Sequence, residues 1–366
     1  SPSRGDTFVF ADYGGTFGTN QLIINAGGQL IDSTTGPDFK VTTDNAIVEL
    51  VYVDANKGYL VKLNQAAGTT PGAIATGTYG TDPGFVAATG GTVTTSGNFK
   101  IHVFTGDGCF VVSDVGNSAG SDKVDYLVVA GGGGGGGDGG GGGGAGGFRV
   151  SNSYGLPSGT TSPLASPTGL SLPAATYPIS VGAGGSGGAS GNAPSGGGAN
   201  GSNSVFSTIT STGGGRASCY SGGSPYAAGN GGSGGGGSRH CHPQTGGTGN
   251  TPPVSPPQGN NGGTSASGSS ASSGGGGAGA AGGNVSGCGD ATQGAGGIGS
   301  FISTCFSTPG KGTPGPVSGT RYFAGGGGGG GNPGGPTFTT TGGAGGGGAG
   351  AASGSPGASG NNGTAN

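Results

Sequence analysis

Glycine fills every position from 131 to 137, and again from 325 to 331. No ordinary helix or strand tolerates such a run. Glycine brings no side chain to bury and loses more conformational freedom on ordering than any other residue. The runs belong to a larger module: residues 131–366 hold 84 of the 104 glycines, and residues 1–130 hold 20. Charge divides at the same place. The first part carries 6 basic and 12 acidic side chains, the second only 5 and 2. An acidic, conventional part is therefore followed by a nearly uncharged glycine module, and each needs its own physical account.

Three states are open to the module. Collagen requires glycine at every third position with abundant proline, and the contiguous runs keep no such triplet. A flexible Gly/Ser linker fits the composition. The third state is a bundle of polyglycine II helices, with three residues per turn and no internal hydrogen bonds. Each N–H and C=O must then pair with a neighbouring helix, and only glycine lets backbones approach that closely. Four segments argue for a packed module: Tyr177–Val181, Asn203–Ile209, Ile298–Ile302 and Arg321–Ala324. Each has strand character and enters or leaves a glycine tract, as though the chain kept returning to one structure. In such a bundle Gly131, Gly134, Gly137, Gly325 and Gly328 serve as packing positions.

The first part reads as strands. Asp6–Asp12, Gln21–Asn25 and Ala46–Val53 are rich in Val, Ile, Tyr and Phe, without a helical period. Asp54-Ala-Asn-Lys-Gly58 is a turn joining Ala46–Val53 to Tyr59–Leu63 as a hairpin. A second group comprises Phe99–Phe104, Cys109–Val112 and Val124–Val129. The expected organisation is a small β domain over 1–64, a linker over 65–95, a β region over 96–130 leading into the bundle, and a polyglycine II bundle with inter-tract loops over 131–366. The fold class is thus a mainly β N-terminal part followed by a polyglycine II bundle, with essentially no α-helix.

Composition excludes several functions. No run of about 20 apolar residues exists, so membrane insertion is not expected, and a net charge of −3 gives no reason to expect nucleic acid. No signal peptide is visible, and an opening Ser-Pro-Ser reads as a processed or excised piece of something longer. Catalysis lacks its groups: the module's acids are Asp138 and Asp290, and no paired carboxylates or Ser/His/Asp set is arguable. Matches to GxGxxG are inevitable among 104 glycines. Arg4-Gly5-Asp6 reads as a strand start rather than an integrin tripeptide, and the sequons at Asn200, Asn284 and Asn362 are expected by chance. His240-Cys241-His242 reads most simply as a polar loop. Its alternative is a metal site in which His240 and His242 from three chains bind iron, nickel or zinc on a shared axis. No cofactor is otherwise expected. Of five cysteines, Cys109 is read as a buried small hydrophobe. Cys219/Cys241 and Cys288/Cys305 are possible pairs whose connectivity the sequence does not fix.

Bulky residues gather between the tracts: Arg216, Tyr220, Tyr226, Arg239, His240, His242, Phe306 and Arg321. Arginine and aromatic rings favour recognition, and sugar faces stack on Tyr or Phe. Such residues also serve as hydrophobic plugs at bundle ends, and both readings stand.

Asn98-Phe-Lys-Ile-His-Val-Phe-Thr105, Val124-Asp-Tyr-Leu-Val-Val-Ala-Gly-Gly-Gly and Gly146-Gly-Phe-Arg149 resemble the glycine-rich domain of bacteriophage tail fibres, in particular those of marine cyanophages. Tyr177–Gly185, Gly201–Phe206 and Tyr322-Phe-Ala-Gly-Gly-Gly follow in that family's order. Gly5-Asp-Thr-Phe-Val-Phe and Val48–Asp54 with Gly58-Tyr59 resemble a small β domain of the same fibres. One departure is the end: family members often close with a further glycine run and an apolar strand, whereas this chain stops at Gly363-Thr-Ala-Asn366. The resemblance implies a non-enzymatic tail-fibre or fibre-tip protein of the virion. As in T-even-type adhesins, loops displayed by a polyglycine II bundle would attach the particle to a bacterial surface glycan or outer-membrane protein. It also implies other tail-fibre proteins as partners and a homotrimeric assembly. The alternative is a purely structural glycine-rich filament or extracellular coat subunit.

Overall fold

A computed structural model describes residues 2–25, 27–32, 38–65, 77–79, 84–118, 120–137, 139–154, 160–189, 196–219, 226–239, 244–269, 271–286, 294–304, 311–331, 340–351 and 363. Two compact units are present, one formed by residues 1–86 and 116–122, the other by residues 87–115 and 123–366. Every regular element is a strand, and the described residues contain no α-helix.

The first unit is built from β1 (Thr7–Ala11), β2 (Leu22–Ile24), β3 (Phe39–Val41), β4 (Ala46–Asp54), β5 (Gly58–Gln65) and β6 (Gly77–Tyr79). They form two antiparallel sheets in the orders β1-β4-β5 and β2-β3-β6. Alternation in β4 sets the buried face: Ala46, Val48 and Leu50 point inward, while Ile47, Glu49 and Val51 are half-buried. Val48 pairs with Leu63 and Leu50 with Val61, so the hairpin presents one apolar face. Ile31, Phe39 and Val41 close on it, with Phe17, Leu22 and Ile24 at the margin. The predicted turn holds as expected, since Asp54 Oδ1 accepts from Asn56 N and Lys57 N, both at 2.8 Å. Gly58 sits at φ +66° against the Leu30 carbonyl, where a Cβ would not fit.

Asp12 organises the loop after β1. Its carboxylate accepts from Thr16 N (3.0 Å), Phe17 N (2.9 Å) and Asn45 N (2.9 Å), which also fixes Asn45 at φ +58°. Burial works against the charge, but the backbone donors of Phe17, Thr16, Asn45 and Gly15 outweigh it and hold the carboxyl below its ordinary value.

The second unit contains β7 (Val86–Thr89), β8 (Thr92–Ser96), β9 (Phe99–Val103), β10 (Gly108–Val115), β11 (Leu127–Val129), β12 (Phe148–Ser151), β13 (Ala165–Ser166), β14 (Ala175–Ser180), β15 (Ser204–Phe206), β16 (Ile209–Ser211), β17 (Ser300–Ser303) and β18 (Thr320–Phe323). Within the 65–95 stretch read as a linker, Gly77–Tyr79, Val86–Thr89 and Thr92–Ser96 are strands. Thr and Val suit the last of these to a hairpin with β9, despite the surrounding glycines. Asn203–Ile209 holds β15 and the start of β16, joined where Ser207 turns the chain at φ +52°. The largest sheet runs β16-β15-β14-β10-β7; β11-β12-β13 and β17-β18 are separate sheets, and the Ser204 and Ser211 hydroxyls donate to the Val129 and Val128 carbonyls of β11 at 2.8 and 2.7 Å. Cys109, expected to be buried, is exposed. In β10 it is Phe110 and Val112 that face inward, and the two-residue period turns Cys109 outward.

Glycine tracts leave and re-enter this β scaffold. Their base is the cluster Ala145, Phe148, Val150, Ala278, Phe323 and Ala324, flanked by Leu127, Val129 and Ile302. Between tracts the backbone hydrogen bonds repeat every three residues. Gly131, Gly134 and Gly137 donate to Ser202, Ala199 and Gly196, whereas Gly133 and Gly136 donate to Gly144 and Gly141. Gly185 and Gly188 donate in turn to Gly132 and Gly135. Gly214 and Ala217 donate to Gly131 and Gly134, so one tract serves four neighbours: partner numbers run antiparallel against 141–144 and 196–202, and parallel against 185–188 and 214–217. The same period links 141, 144 and 147 to 218, 215 and 212, and links 325, 328 and 331 to 345, 348 and 351. A Cβ at Gly131, Gly134, Gly137 or Gly325 would overlap the carbonyl of Ala183, Ser186, Ala189 or Gly343 respectively. At Gly328 it would stand 2.8 Å from the Thr340 carbonyl oxygen.

Candidate functional site

Because successive tracts run antiparallel, the chain reversals of the second unit gather at two ends. At the end away from the β scaffold, Gly137 N pairs with Gly196 O, Gly141 N with Ser218 O, and Gln244 with Ser265 in both directions. Ala271 bridges Gly331, and Gly330 N donates to Gly140 O. The flanks of segments 190–195, 220–225, 240–243 and 332–339 therefore meet on this one face.

Three candidate residues lie on or next to it. The guanidinium of Arg216 stands 4.4 Å from the centroid of the Tyr226 ring, close enough for a cation–π contact. The Tyr226 ring rests against Gly197, and its backbone bridges Cys219, which is buried. Arg216 N donates to Asn200 Oδ1 at 2.8 Å, while its Nε is buried without a hydrogen-bond partner. Arg239 N donates to Ser272 Oγ at 2.7 Å, and its side chain packs over Gly139. Both arginines and Tyr226 are half-buried, so part of each is committed to the fold. Tyr220, His240, His242 and Phe306 lie outside the described residues, as do Cys241, Cys288 and Cys305. Among the described residues no group of three or more His, Cys, Asp or Glu could hold a metal ion.

Arg321 is not part of this face. It sits on β18 opposite Ile302, in the hairpin at the scaffold end, where Ala324 O accepts from Ala278 N. Nearby at the scaffold, Asp125 Oδ1 takes Ser151 Oγ (2.6 Å) and Ser153 N (2.9 Å), tying β12 to the segment before β11. Burial pushes the Tyr126 hydroxyl up, and adjacent Arg149 pulls against that shift. These contacts are architectural and lie far from the reversals.

Sequence reasoning missed the asparagines. Along the tracts an Asn side chain supplies the acceptor for a backbone N–H of the neighbouring tract. Asn203 and Asn200 take Gly213 N and Arg216 N, three residues apart on both sides. Asn230, Asn261 and Asn284 take Thr248 N, Gly249 N and Thr264 N at 2.7, 2.9 and 2.8 Å. The available signal was the spacing of Asn200 and Asn203 in step with the tract period. Two of the three sequons, at Asn200 and Asn284, are therefore members of this stitching.

A family profile described as a glycine-rich domain matches residues 105–365. The chain belongs to that family. The match spans β10 to the last tract, so the glycine-rich domain includes the strands that seat the tracts as well as the tracts themselves. No curated protein and no solved structure matches the chain.

Proposed function

We propose that the glycine-rich domain is a polyglycine II bundle, and that the chain is a non-enzymatic phage tail-fibre or fibre-tip protein that attaches the virion to a bacterial surface receptor. The observation carrying this reading is the three-residue hydrogen-bond period between neighbouring tracts, parallel and antiparallel alike, with the flanks of the bulky inter-tract segments gathered at one end. Three residues per turn and bonding only between neighbouring helices define polyglycine II. A backbone whose donors and acceptors are already paired has little left with which to recognise a ligand, so recognition falls to the reversals. There Arg216, Tyr226 and Arg239 join segments that carry Tyr220, His240 and His242. Arginine forks and aromatic rings suit a glycan or the loops of an outer-membrane protein, and many copies on one particle turn weak contacts into firm attachment. The companion proposals are a homotrimer, association with other fibre proteins and no cofactor.

The test is a combined Tyr220→Ala, Arg239→Ala, His242→Ala variant assembled into particles. It is expected to fold, to incorporate and to lose adsorption. Adsorption at the normal rate would refute the binding role of this face and favour a purely structural glycine-rich filament or coat subunit.

A further inference from the structure

In an Asn–Gly pair the following residue has no side chain to shield its backbone nitrogen, so the pair is prone to cyclise. The nitrogen loses its proton and attacks Asn Cγ, the Cγ–Nδ2 bond breaks, and ammonia leaves. Water then opens the resulting succinimide at either carbonyl, giving Asp or isoaspartate. Three such pairs are described in full: Asn200–Gly201, Asn230–Gly231 and Asn261–Gly262.

All three are held at both reacting groups. Asn200 Oδ1 accepts from Arg216 N at 2.8 Å, while Gly201 N donates to Gly214 O at 2.9 Å. Asn230 Oδ1 accepts from Thr248 N at 2.7 Å, and Gly231 N donates to Thr248 O at 3.1 Å. Asn261 Oδ1 accepts from Gly249 N at 2.9 Å, and Gly262 N donates to Gly247 O at 3.0 Å. Each amide is drawn toward a neighbouring tract, and each attacking nitrogen keeps its proton in a bond to a neighbouring carbonyl.

We propose that Asn200, Asn230 and Asn261 are latent deamidation sites that tract-to-tract pairing holds shut, so that their conversion marks loss of the bundle. The inference depends on the pairing alone and not on receptor binding. Conversion also makes opening irreversible. Isoaspartate inserts one extra backbone carbon, which throws the following residues out of the three-residue period, and either product adds a negative charge to a nearly uncharged module.

Peptide mapping by mass spectrometry, on the full chain incubated folded or in guanidinium at the same pH, tests it. Each site is expected to convert at least about tenfold more slowly when folded, a difference of about 1.4 kcal/mol in barrier. Equal rates at any one of the three would overturn its assignment as a latched site. Amide exchange at Gly201, Gly231 and Gly262 on the same samples provides the second arm. The three sites should convert in the order in which these amides exchange, and a reversed order would overturn the mechanism even if folded conversion is slow.

Discussion

Gly134 and Gly135 are adjacent, yet alanine at the two positions should move stability in opposite directions. Gly134 is buried; its N–H donates to Ala199 O at 2.8 Å and its carbonyl accepts from Ala217 N at 2.9 Å. A Cβ there overlaps the Ser186 carbonyl, so one tract must shift away from another. Overpacking costs about 1–3 kcal/mol, and straining two hydrogen bonds adds about 0.5–1.5 kcal/mol each. Gly135 is exposed, and its nearest obstacle, the Gly141 carbonyl oxygen, would be 3.8 Å from a Cβ. Where the backbone is compatible, Gly→Ala stabilises by about 0.4–1 kcal/mol by restricting the unfolded chain. With about 2–4 °C per kcal/mol for a domain of this class, Gly134→Ala should lower Tm by roughly 4–24 °C, and Gly135→Ala should raise it by roughly 1–4 °C. Differential scanning calorimetry on both variants decides the matter. Equal shifts, or an unchanged Tm for Gly134→Ala, would refute tract-against-tract packing.

Amide exchange across Gly131–Gly137 and Gly325–Gly331 should be slow at the paired N–H groups, such as Gly134 and Gly327, and fast at exposed Gly135; uniform fast exchange would mean a linker. Phe148→Ala removes a side chain that is 1% exposed at the base of the tracts, and should cost about 3–5 kcal/mol by calorimetry; a loss below about 1 kcal/mol would show that the tracts stand without that cluster. The lowered carboxyl of Asp12 makes the first unit acid-sensitive. Its stabilisation is complete above the ordinary value of 3.8 and is lost as pH falls through the lower folded value. Asp12→Asn should therefore lower Tm at neutral pH and lose that gap in strong acid; a gap of constant size across the titration would exclude the carboxylate as its source.

Much of the strand pattern was legible because aromatic and β-branched runs bounded by turn residues report local preference directly. Asp6–Asp12 became Thr7–Ala11, and the hairpin across Asp54–Gly58 formed as read. The same local signal failed at Cys109, where the phase of the two-residue alternation depends on which face the sheet buries. Arg321 was grouped with Arg216 and Arg239 because all three punctuate glycine tracts, but an antiparallel path sends alternate reversals to opposite ends.

By itself the sequence determined that the runs at 131–137 and 325–331 could form no ordinary core, since contiguous glycine offers backbone and nothing else to bury. It also set an acidic β-rich part apart from an uncharged module. Only the tertiary structure decided which tract lies against which, which glycines must remain glycine, and which asparagines bond to a neighbouring tract. A glycine run is identical at every position, so its register is written nowhere within it. The strands at its ends and the carbonyls of its neighbours impose that register, as at Gly134 against Ser186 and Asn200 against Arg216.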